Sequence, residues 1–357
     1  MSWKDDLRET IWGLEAYRTH EYRPGLVRLD ANESPFPLDE GERETIALEL
    51  SRLPLHRYPE VSGRPLREAL ARRFDLEPDE ILVGNGSDEM ISILFTAFAG
   101  GKRGRGKALF PVPTFGEYQA IAGAHGMETV QVPLGADWQL DESRTREAIL
   151  GERPAVAIFA SPNNPTGNRL DPAALARLAH ASEGAFVADE AYADFAGATQ
   201  VSLVREIDGF CVLRSFSKIG LAGLRVGALV ASRELVGQLD KVRLPFNLDA
   251  VAMAAVCALL QNPGRMEDRI RRIRAAREDL RAGLARIPGV TAFPSDANFV
   301  LVRVPLDGPT VWKRMLQRNV LVRVFPGKGP LQDCLRITAG TVEENETCVA
   351  ALAAAVG

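Results

Sequence analysis

Short apolar runs that alternate with helix-like segments dominate the stretch from about residue 80 to residue 230. Five such runs stand out, which are ILV at 81–83, KALF at 107–110, AVAIFA at 155–160, AFVAD at 185–189 and FCVLRSF at 210–216. Parallel strands that are buried on both faces have this continuous apolar character, and the intervening helices cover the two faces of their sheet. The sequence therefore predicts an α/β fold whose functional side chains lie at strand ends.

The rest of the chain predicts a second, smaller domain. The length of 357 residues suits one large and one small domain. A helical stretch over 248–287 contains a basic run, RIRRIRAAR, that is typical of the solvated face of a long helix. Strand-like NFVLVRV, VLVRVF and CLRIT follow it. We predict an N-terminal arm over 1–29 that packs with the small domain, a large domain over 30–246 and a small α+β domain over 247–357.

Composition excludes several classes of protein. Hydrophobic residues make up 46% and charged residues 25%, which is typical of a globular chain. The net charge of -4 gives no general reason to bind nucleic acid or an anionic membrane, and no apolar stretch of about 18 residues occurs. The four cysteines form no C-x-x-C pair, so neither a metal site nor a disulfide framework is expected. We expect a cytoplasmic protein.

One apolar run ends in two serines and a lysine, and an arginine follows seven residues after the lysine. Lys218 at the end of a buried strand loses hydration, and the neutral amine that this favours can attack an aldehyde. The hydroxyls of Ser215 and Ser217 and the guanidinium of Arg225 are groups that bind a phosphate monoester. A lysine after a strand is usually a surface residue, so this segment is suggestive only in combination with others.

A second strand, AFVAD, carries Asp189 at its carboxyl end, and Tyr192 follows three residues later. A buried aspartate can keep a pyridine nitrogen protonated, which makes the ring an electron sink, and a phenol can hydrogen-bond to a ring oxygen. The alternative function of Asp189 is a cap on the next helix.

Two turns complete the set of candidate segments. SPNNPTG at 161–167 predicts a rigid turn that directs side-chain amides, including that of Asn164, from a strand end into a crevice. GNGSDE at 84–89 joins a strand to a helix that begins near Ser87 and Asp88. Free N–H groups at a helix N-terminus bind phosphate, and an acidic helix cap is compatible with the same residues.

Taken together, these segments resemble the fold-type I aminotransferases that use pyridoxal-5′-phosphate (PLP), and among them the histidinol-phosphate aminotransferases. The matching motifs extend in order through most of the chain: LDANESPFPL, RYPE, GNGSDE, PTFGEY, SPNNPTG, ADEAY, SFSK, GLAGLRVG, PFNLD, DANFVLVRV, VLVRVF and CLRITAGTVEEN. The resemblance implies the PLP-transferase fold of type I, with a mostly parallel seven-stranded sheet between helices in the large domain and a smaller α+β domain.

The resemblance also implies functions for individual residues. Lys218 would carry PLP as a Schiff base and shuttle protons, and Asp189 would pair with the pyridine nitrogen. Tyr192 and Asn164 would contact the phenolic oxygen, and Phe115 would stack on the ring. The cofactor phosphate would be bound by a further group of residues, which are Ser87, Asp88, Ser215 or Ser217, Arg225 and, from the second subunit of a homodimer, Tyr58.

The implied reaction is transamination between histidinol phosphate, whose keto partner is imidazole-acetol phosphate, and glutamate or 2-oxoglutarate in histidine biosynthesis. Arg336 would clamp the carboxylate of the substrate bidentately. Arg323, Tyr17 and Asn298 would assist, although Arg323 fits a surface charge at a strand end equally well.

The cofactor motifs leave other functions open. They hold the ring but do not choose which bond breaks, so transamination of aromatic amino acids or decarboxylation of a phosphorylated amino acid remains an alternative. A non-catalytic PLP-fold binding protein is a further alternative. The presence of Lys218, Asp189, Tyr192 and Arg225 argues against it.

Overall fold

The structure is a computed structural model that describes residues 3–14, 16, 20–21, 23–101 and 106–357. Its strands are β1 Val27–Leu29, β2 Ile81–Asn85, β3 Lys107–Val112, β4 Glu128–Pro133, β5 Val156–Ala160, β6 Ala185–Asp189, β7 Phe210–Ser215, β8 Val226–Val230, β9 Thr291–Ala292, β10 Phe299–Arg303, β11 Val320–Val324 and β12 Cys334–Thr338.

The α-helices alternate with these strands along the chain. They are α1 Trp3–Asp6, α2 Glu9–Trp12, α3 Glu40–Ser51, α4 Arg64–Phe74, α5 Ser87–Phe98, α6 Glu117–Ala124, α7 Glu142–Glu152, α8 Pro172–Ala181, α9 Ala193–Ala196, α10 Arg233–Leu239, α11 Ala250–Leu260, α12 Pro263–Leu284, α13 Gly308–Gln317 and α14 Val342–Val356. Short 3₁₀ turns lie at Pro78–Glu80, Val201–Arg205, Ser217–Ile219 and Ala222–Leu224.

A seven-stranded sheet forms the larger part of the fold, with strand order β2-β8-β7-β6-β5-β3-β4. Strands β3 to β7 pair in parallel, whereas β8 is antiparallel to both β2 and β7. All five apolar runs predicted as strands are strands. Strands β4 and β8 are not predicted from the sequence, because β4 is an edge strand with a partly exposed, polar pattern and β8 begins inside a glycine-rich segment.

Alternate side chains of the central strands fill hydrophobic cores on the two faces of this sheet. On one face Phe159, Phe186 and Phe210 stack in succession across β5, β6 and β7, with ring centroids 4.8 and 5.8 Å apart. On the other face Ile158 and Val187 contribute to a second buried cluster. Full burial of each such side chain stabilises the fold by about 1.5–3 kcal/mol. The continuous apolar runs in the sequence follow from this two-sided burial.

A second sheet has five strands in the order β1-β11-β12-β10-β9. The runs NFVLVRV, VLVRVF and CLRIT are strands β10, β11 and β12, as predicted. Strand β1 pairs in parallel with β11, and the other pairs are antiparallel. Residues of α12, α13 and α14 share one hydrophobic core with this sheet. The domain boundaries given above, including the arm over 1–29, stay predictions.

The helical stretch predicted over 248–287 is two helices rather than one. Helix α11 ends at Leu260, and α12 begins at Pro263, which occupies the first helical position, where a missing N–H costs nothing. Within the described part of the chain, every helix is too short or too polar to cross a bilayer.

The basic run of α12 is only partly solvated. Arg271 and Arg272 are exposed, as predicted, but the prediction is wrong for Arg269 and Arg277, which are buried. Arg269 pairs with the buried Glu42 of α3, and Arg277 donates to the carbonyl of Ala297 at 2.9 Å. Burial is possible because each guanidinium has a partner on another element.

Candidate active site

The carboxyl ends of the parallel strands meet at one edge of the seven-stranded sheet, where a cavity of about 190 Å³ opens. Ten of the residues predicted from the sequence line it, namely Ser87, Asp88, Phe115, Asn164, Asp189, Tyr192, Ser215, Ser217, Lys218 and Arg225. A larger open groove, of about 1100 Å³, lies between α4 and α12 and contains none of them. The nucleophile and the charged groups therefore mark the smaller cavity as the candidate site.

Asp189 ends β6 at the base of the cavity and is only 5% exposed. Its Oδ2 accepts a hydrogen bond of 2.5 Å from the Tyr118 hydroxyl, and its Oδ1 accepts one of 3.0 Å from the backbone N–H of Ala191. Burial raises the pKa of the Asp189 carboxyl, and the two hydrogen bonds oppose that rise. The N-cap of α9 is Tyr192, without a side-chain cap bond, so Asp189 does not cap the next helix.

Tyr118 is a component of the site that the sequence analysis missed. It lies in α6, is fully buried and lines the cavity. Burial, and then the charge of Asp189, raise the pKa of the phenol well above its usual value, so the hydroxyl stays protonated and donates. The one rule that applies to the sequence here is that a buried tyrosine needs a hydrogen-bond partner. That rule does not say which residue the partner is.

Lys218 follows β7 in the 3₁₀ turn Ser217–Ile219, and its side chain reaches the same cavity. Its Nζ lies 5.7 Å from the centroid of the Tyr192 ring. Phe115 forms another wall, with its ring edge-on to Tyr118 at 5.5 Å between centroids. The structure thus brings the lysine, the aspartate of β6 and two aromatic rings around one space.

Tyr192 and Asn164 have partners that the sequence analysis did not predict. The Tyr192 hydroxyl accepts a hydrogen bond of 2.8 Å from Nδ2 of Asn32, and Oδ1 of Asn164 accepts one of 2.5 Å from Nη1 of Arg336. Asn32 belongs to the motif LDANESPFPL, but nothing in the motif indicates that its side chain reaches Tyr192, 160 residues later.

A second group of cavity residues carries donors for an anion. Helix α5 begins at Ser87, next to Gly86, whose φ of +84° favours glycine. Arg225 donates to the Ser217 hydroxyl at 3.3 Å, and its other Nη lies 3.6 Å from the carboxylate of Asp88. A β-carbon on Gly86 would lie 2.8 Å from this guanidinium, so glycine leaves the space in front of it open.

Gly227 fixes how the start of α5 sits on the sheet. It pairs with Gly84 of β2 on one side and with Ser215 of β7 on the other. A β-carbon at this position would lie 2.4 Å from backbone atoms of Gly86 and Ser87. The first turn of α5 therefore rests directly on the backbone of β8.

Three of the predicted substrate residues, Arg336, Arg323 and Asn298, are not among the residues that line the cavity. Arg336 of β12 is buried, and its Nη2 donates to the carbonyl of Asp30 at 2.5 Å. Arg323 of β11 is exposed and lies directly opposite Arg336 in the strand pair. Asn298 is fully buried and donates to the carbonyl of Asn32 at 2.9 Å. Tyr17 lies outside the described residues.

Tyr58, predicted to act in a partner subunit, is 80% exposed in the single chain and is away from the cavity. Its ring stacks on that of Phe246, with centroids 4.5 Å apart.

Comparison with known proteins agrees with this geometry. A family model described as aminotransferase class I and II matches residues 24–352. Histidinol-phosphate aminotransferase 2 of Nitrosococcus oceani is 37% identical over 351 residues, which cover 98% of this chain and 96% of the relative. The histidinol-phosphate aminotransferase of Chromobacterium violaceum is 38% identical over 330 residues, which cover 92% of each chain. These relatives confirm the resemblance that the motifs indicate.

The fold is similar to that of solved aminotransferases. The crystal structure of histidinol-phosphate aminotransferase from Sinorhizobium meliloti in complex with pyridoxal-5′-phosphate matches with a TM-score of 0.87 at 23% identity, covering 98% of this chain and 97% of that one. This likeness confirms the predicted fold class. From the motifs, the cavity and the full-length relatives together, we conclude that the chain belongs to the class I and II aminotransferase family.

Proposed function

We propose that the protein is a PLP-dependent histidinol-phosphate aminotransferase, which transfers an amino group between histidinol phosphate and 2-oxoglutarate, with imidazole-acetol phosphate and glutamate as the other pair. The observation that carries this proposal is the near full-length identity of 37–38% to relatives of that name. The family and the fold alone would leave the substrate open.

The residues of the cavity fit PLP. Burial disfavours the charged form of the Asp189 carboxyl, and a protonated pyridine nitrogen beside it would favour that form. The open turn at Gly86, the start of α5 and Arg225 offer donors for the phosphate. Lys218 also lines the space and carries the amine that PLP requires.

When bound, PLP supplies an electron sink for negative charge that develops at the substrate carbon. The residues of this chain would prepare that chemistry. Nζ of Lys218 would hold the cofactor covalently and later carry a proton to and from the substrate carbon. Asp189 would stabilise the positive charge on the ring nitrogen, and Phe115 would pack against the ring. Tyr192 and Asn164 would hydrogen-bond to the ring oxygen.

Two arginines support recognition of an anionic substrate. Arg323 and Arg336 are directly opposite each other in the β11–β12 pair, so their side chains leave the sheet on the same face. A guanidinium binds a phosphate or carboxylate through parallel hydrogen bonds, so both side chains would contact the anionic group of a substrate, with Arg336 as the buried contact and Arg323 as the exposed one. Tyr17 and Asn298 remain proposed contributors.

We also infer that two copies assemble into a homodimer. Tyr58 and Phe246 stack on each other, and Leu55 and Leu244, which lie three and two positions from them in the chain, are 70% and 72% exposed. Exposed apolar surface of this kind is typical of an interface. In the homodimer, Tyr58 would reach the cofactor phosphate of the second subunit. All four cysteines are unpaired, which suits the cytoplasm.

A substrate panel tests the proposal. Purified protein with added PLP would be assayed for glutamate formation from 2-oxoglutarate with histidinol phosphate, aromatic amino acids or phosphothreonine as amino donor, and CO₂ release would be followed in parallel. We expect kcat/KM for histidinol phosphate to exceed that for every other donor by roughly a hundredfold or more. Comparable kcat/KM for an aromatic amino acid, or CO₂ release, would favour the alternative enzymes. Bound PLP without any turnover would indicate a binding protein.

A further inference from the structure

Asn32 lies between β1 and α3 and is 1% exposed. Its φ of +55° is in the left-handed region, which is unfavourable for residues other than glycine and least so for asparagine. A buried residue in such a conformation persists where surrounding contacts hold it. The hydrogen bonds of Asn32 show what holds it.

Each polar group of Asn32 has a partner. Its backbone N–H donates to the Thr338 hydroxyl oxygen at 3.0 Å, and that hydroxyl donates to Oδ1 of Asn32 at 3.2 Å. Its carbonyl accepts from Asn298 at 2.9 Å. Its Nδ2 donates to the Tyr192 hydroxyl at 2.8 Å. Asn32 therefore joins strand β12 and the start of β10 to a side chain of the cavity.

The order of donors in this network fixes the orientation of the amide. Because the Thr338 hydroxyl already accepts the N–H of Asn32, its own proton needs an acceptor, and among the described residues that acceptor is Oδ1 of Asn32. The amide NH₂ must then face Tyr192. The phenolic oxygen consequently accepts a hydrogen bond, and its single proton is left for another acceptor.

That proton points to the cavity by elimination. Among the described residues, the Tyr192 hydroxyl has no hydrogen bond other than the one from Asn32. Tyr192 lines the cavity, whereas Asn32 itself does not. A phenol whose oxygen accepts a hydrogen bond becomes a stronger donor through its own O–H.

We propose that Asn32 is a positioning residue that makes the Tyr192 hydroxyl a one-way hydrogen-bond donor to the ring oxygen of the cofactor. This rests on the proposed function, because it requires PLP in the cavity. Asn32 does not touch the reacting atoms. Because its amide donates to the Tyr192 oxygen, the Tyr192 hydroxyl cannot donate its own proton to Asn32 and away from the cavity.

The visible absorption of bound PLP, titrated with pH, measures this effect without turnover. A donor to the ring oxygen stabilises its deprotonated form, so loss of the donor should move the titration to higher pH. We expect Asn32→Gly, which suits the left-handed backbone and removes only the side chain, to raise the midpoint by about one pH unit, a typical contribution of a charge-assisted hydrogen bond. Tyr192→Phe should raise it at least as much.

Pairing the two substitutions distinguishes positioning from a general structural effect. In the Tyr192→Phe background, Asn32→Gly should add no further shift, because the residue acts only through the phenol. Asn32→Asp fills the same space but accepts the Tyr192 proton. In otherwise wild-type protein, Asn32→Asp should therefore shift the midpoint of the titration. In the Tyr192→Phe background, any midpoint shift that Asn32→Asp still causes measures the effect of its charge alone. Val302→Ala, in the core of the five-stranded sheet, is the control for lost stability and should leave the midpoint unchanged.

The outcomes separate the two proposals. If Asn32→Gly, or Asn32→Asp where the glycine variant does not fold, titrates like wild type while Tyr192→Phe is shifted, the positioning function is wrong and the proposed enzyme stands. Additive shifts from Asn32→Gly and Tyr192→Phe would equally overturn it. If wild-type protein shows no PLP absorption that titrates, both the proposed function and this inference fail.

Discussion

The Tyr118 hydroxyl lies 2.5 Å from Oδ2 of Asp189, and both of these cavity-lining side chains are buried. The phenol is the one side-chain donor to this carboxylate among the described residues. The ring of Tyr118 also packs against Phe115, so one tyrosine contacts both the charge and an aromatic wall of the site.

Tyr118→Phe should destabilise the apoprotein, because it leaves a buried carboxylate oxygen without a donor. We expect the free energy of unfolding at pH 7 to fall by about 1–3 kcal/mol. Urea denaturation measures the change. Thr347→Val, which removes an exposed hydroxyl on α14, is the control and should change the value by less than about 0.5 kcal/mol. A Tyr118→Phe protein as stable as wild type would show that the hydrogen bond contributes nothing.

Asp189→Asn should alter the pH dependence of stability. Burial raises the pKa of this carboxyl in the folded apoprotein, so below its ordinary value near pH 4 both states hold the proton. As the pH rises towards the raised folded pKa, the unfolded chain releases its proton first, and the wild-type fold loses stability. The asparagine variant avoids that loss. Its apoprotein should melt higher than wild type at pH 8, by about 2 °C or more, with a smaller difference at pH 5.

With PLP present, the same substitution should be harmful. Asparagine keeps the shape but removes the charge that stabilises the ring nitrogen as a cation, so kcat should fall on the order of a hundredfold with little change in KM. If the difference in melting temperature between the variant and wild type were the same at pH 5 and pH 8, the raised pKa of Asp189 would be contradicted. A normal kcat would contradict the function proposed for Asp189.

Lys218→Ala should abolish turnover and leave noncovalent binding of PLP, because the other cavity residues that would hold the cofactor remain. We expect kcat to fall on the order of a thousandfold or more. Borohydride reduction followed by peptide mass spectrometry should find the cofactor on Lys218 in wild type and on no residue of the variant. Covalent label on another lysine would refute the assignment.

Arg336→Lys should weaken substrate binding, because lysine keeps the charge but loses the planar pair of donors. We expect KM for both substrates to rise roughly 10- to 100-fold, whereas Arg323→Lys on the opposite strand should have a smaller effect because that side chain is exposed. Steady-state kinetics on the two variants provide the comparison. If both variants raised KM equally, the buried Arg336 would contribute no more to substrate binding than the exposed Arg323.

Leu244→Asp places a charge in the exposed apolar patch around Tyr58 and Phe246. We expect sedimentation velocity to show a shift from dimer towards monomer, with kcat/KM falling in proportion to the dimer fraction. Leu150→Asp, at an exposed leucine of α7, is the matched control. Full activity in a monomeric Leu244→Asp protein would show that the second subunit contributes nothing to the site.

The strands and most of the cavity could be predicted from the sequence because their signals are local. Two-sided burial gives β5, β6 and β7 a continuous apolar pattern, and parallel strands place their carboxyl ends together. Residues at those ends, such as Asp189 and Lys218, must then converge.

Contacts between distant segments could not be predicted in this way. The bonds from Tyr118 to Asp189 and from Asn32 to Tyr192 join residues 71 and 160 positions apart. Each depends on how separate elements pack, which a short motif does not encode. The burial of Arg269 likewise depends on Glu42, more than 200 positions away, and helical periodicity shows only that the arginine lies on one face of α12.

The contact of Gly227 with the first turn of α5 ties assembly of the proposed phosphate site to assembly of the sheet. That site would take Ser87 from the turn after β2, Ser215 from the end of β7 and Arg225 from the residue before β8. These strands are neighbours in the sheet, but β2 and β7 are separated by more than 120 residues of chain. A folding intermediate that has formed only one or two of them cannot present the site. Gain of cofactor during refolding would therefore report that β2, β7 and β8 have come together.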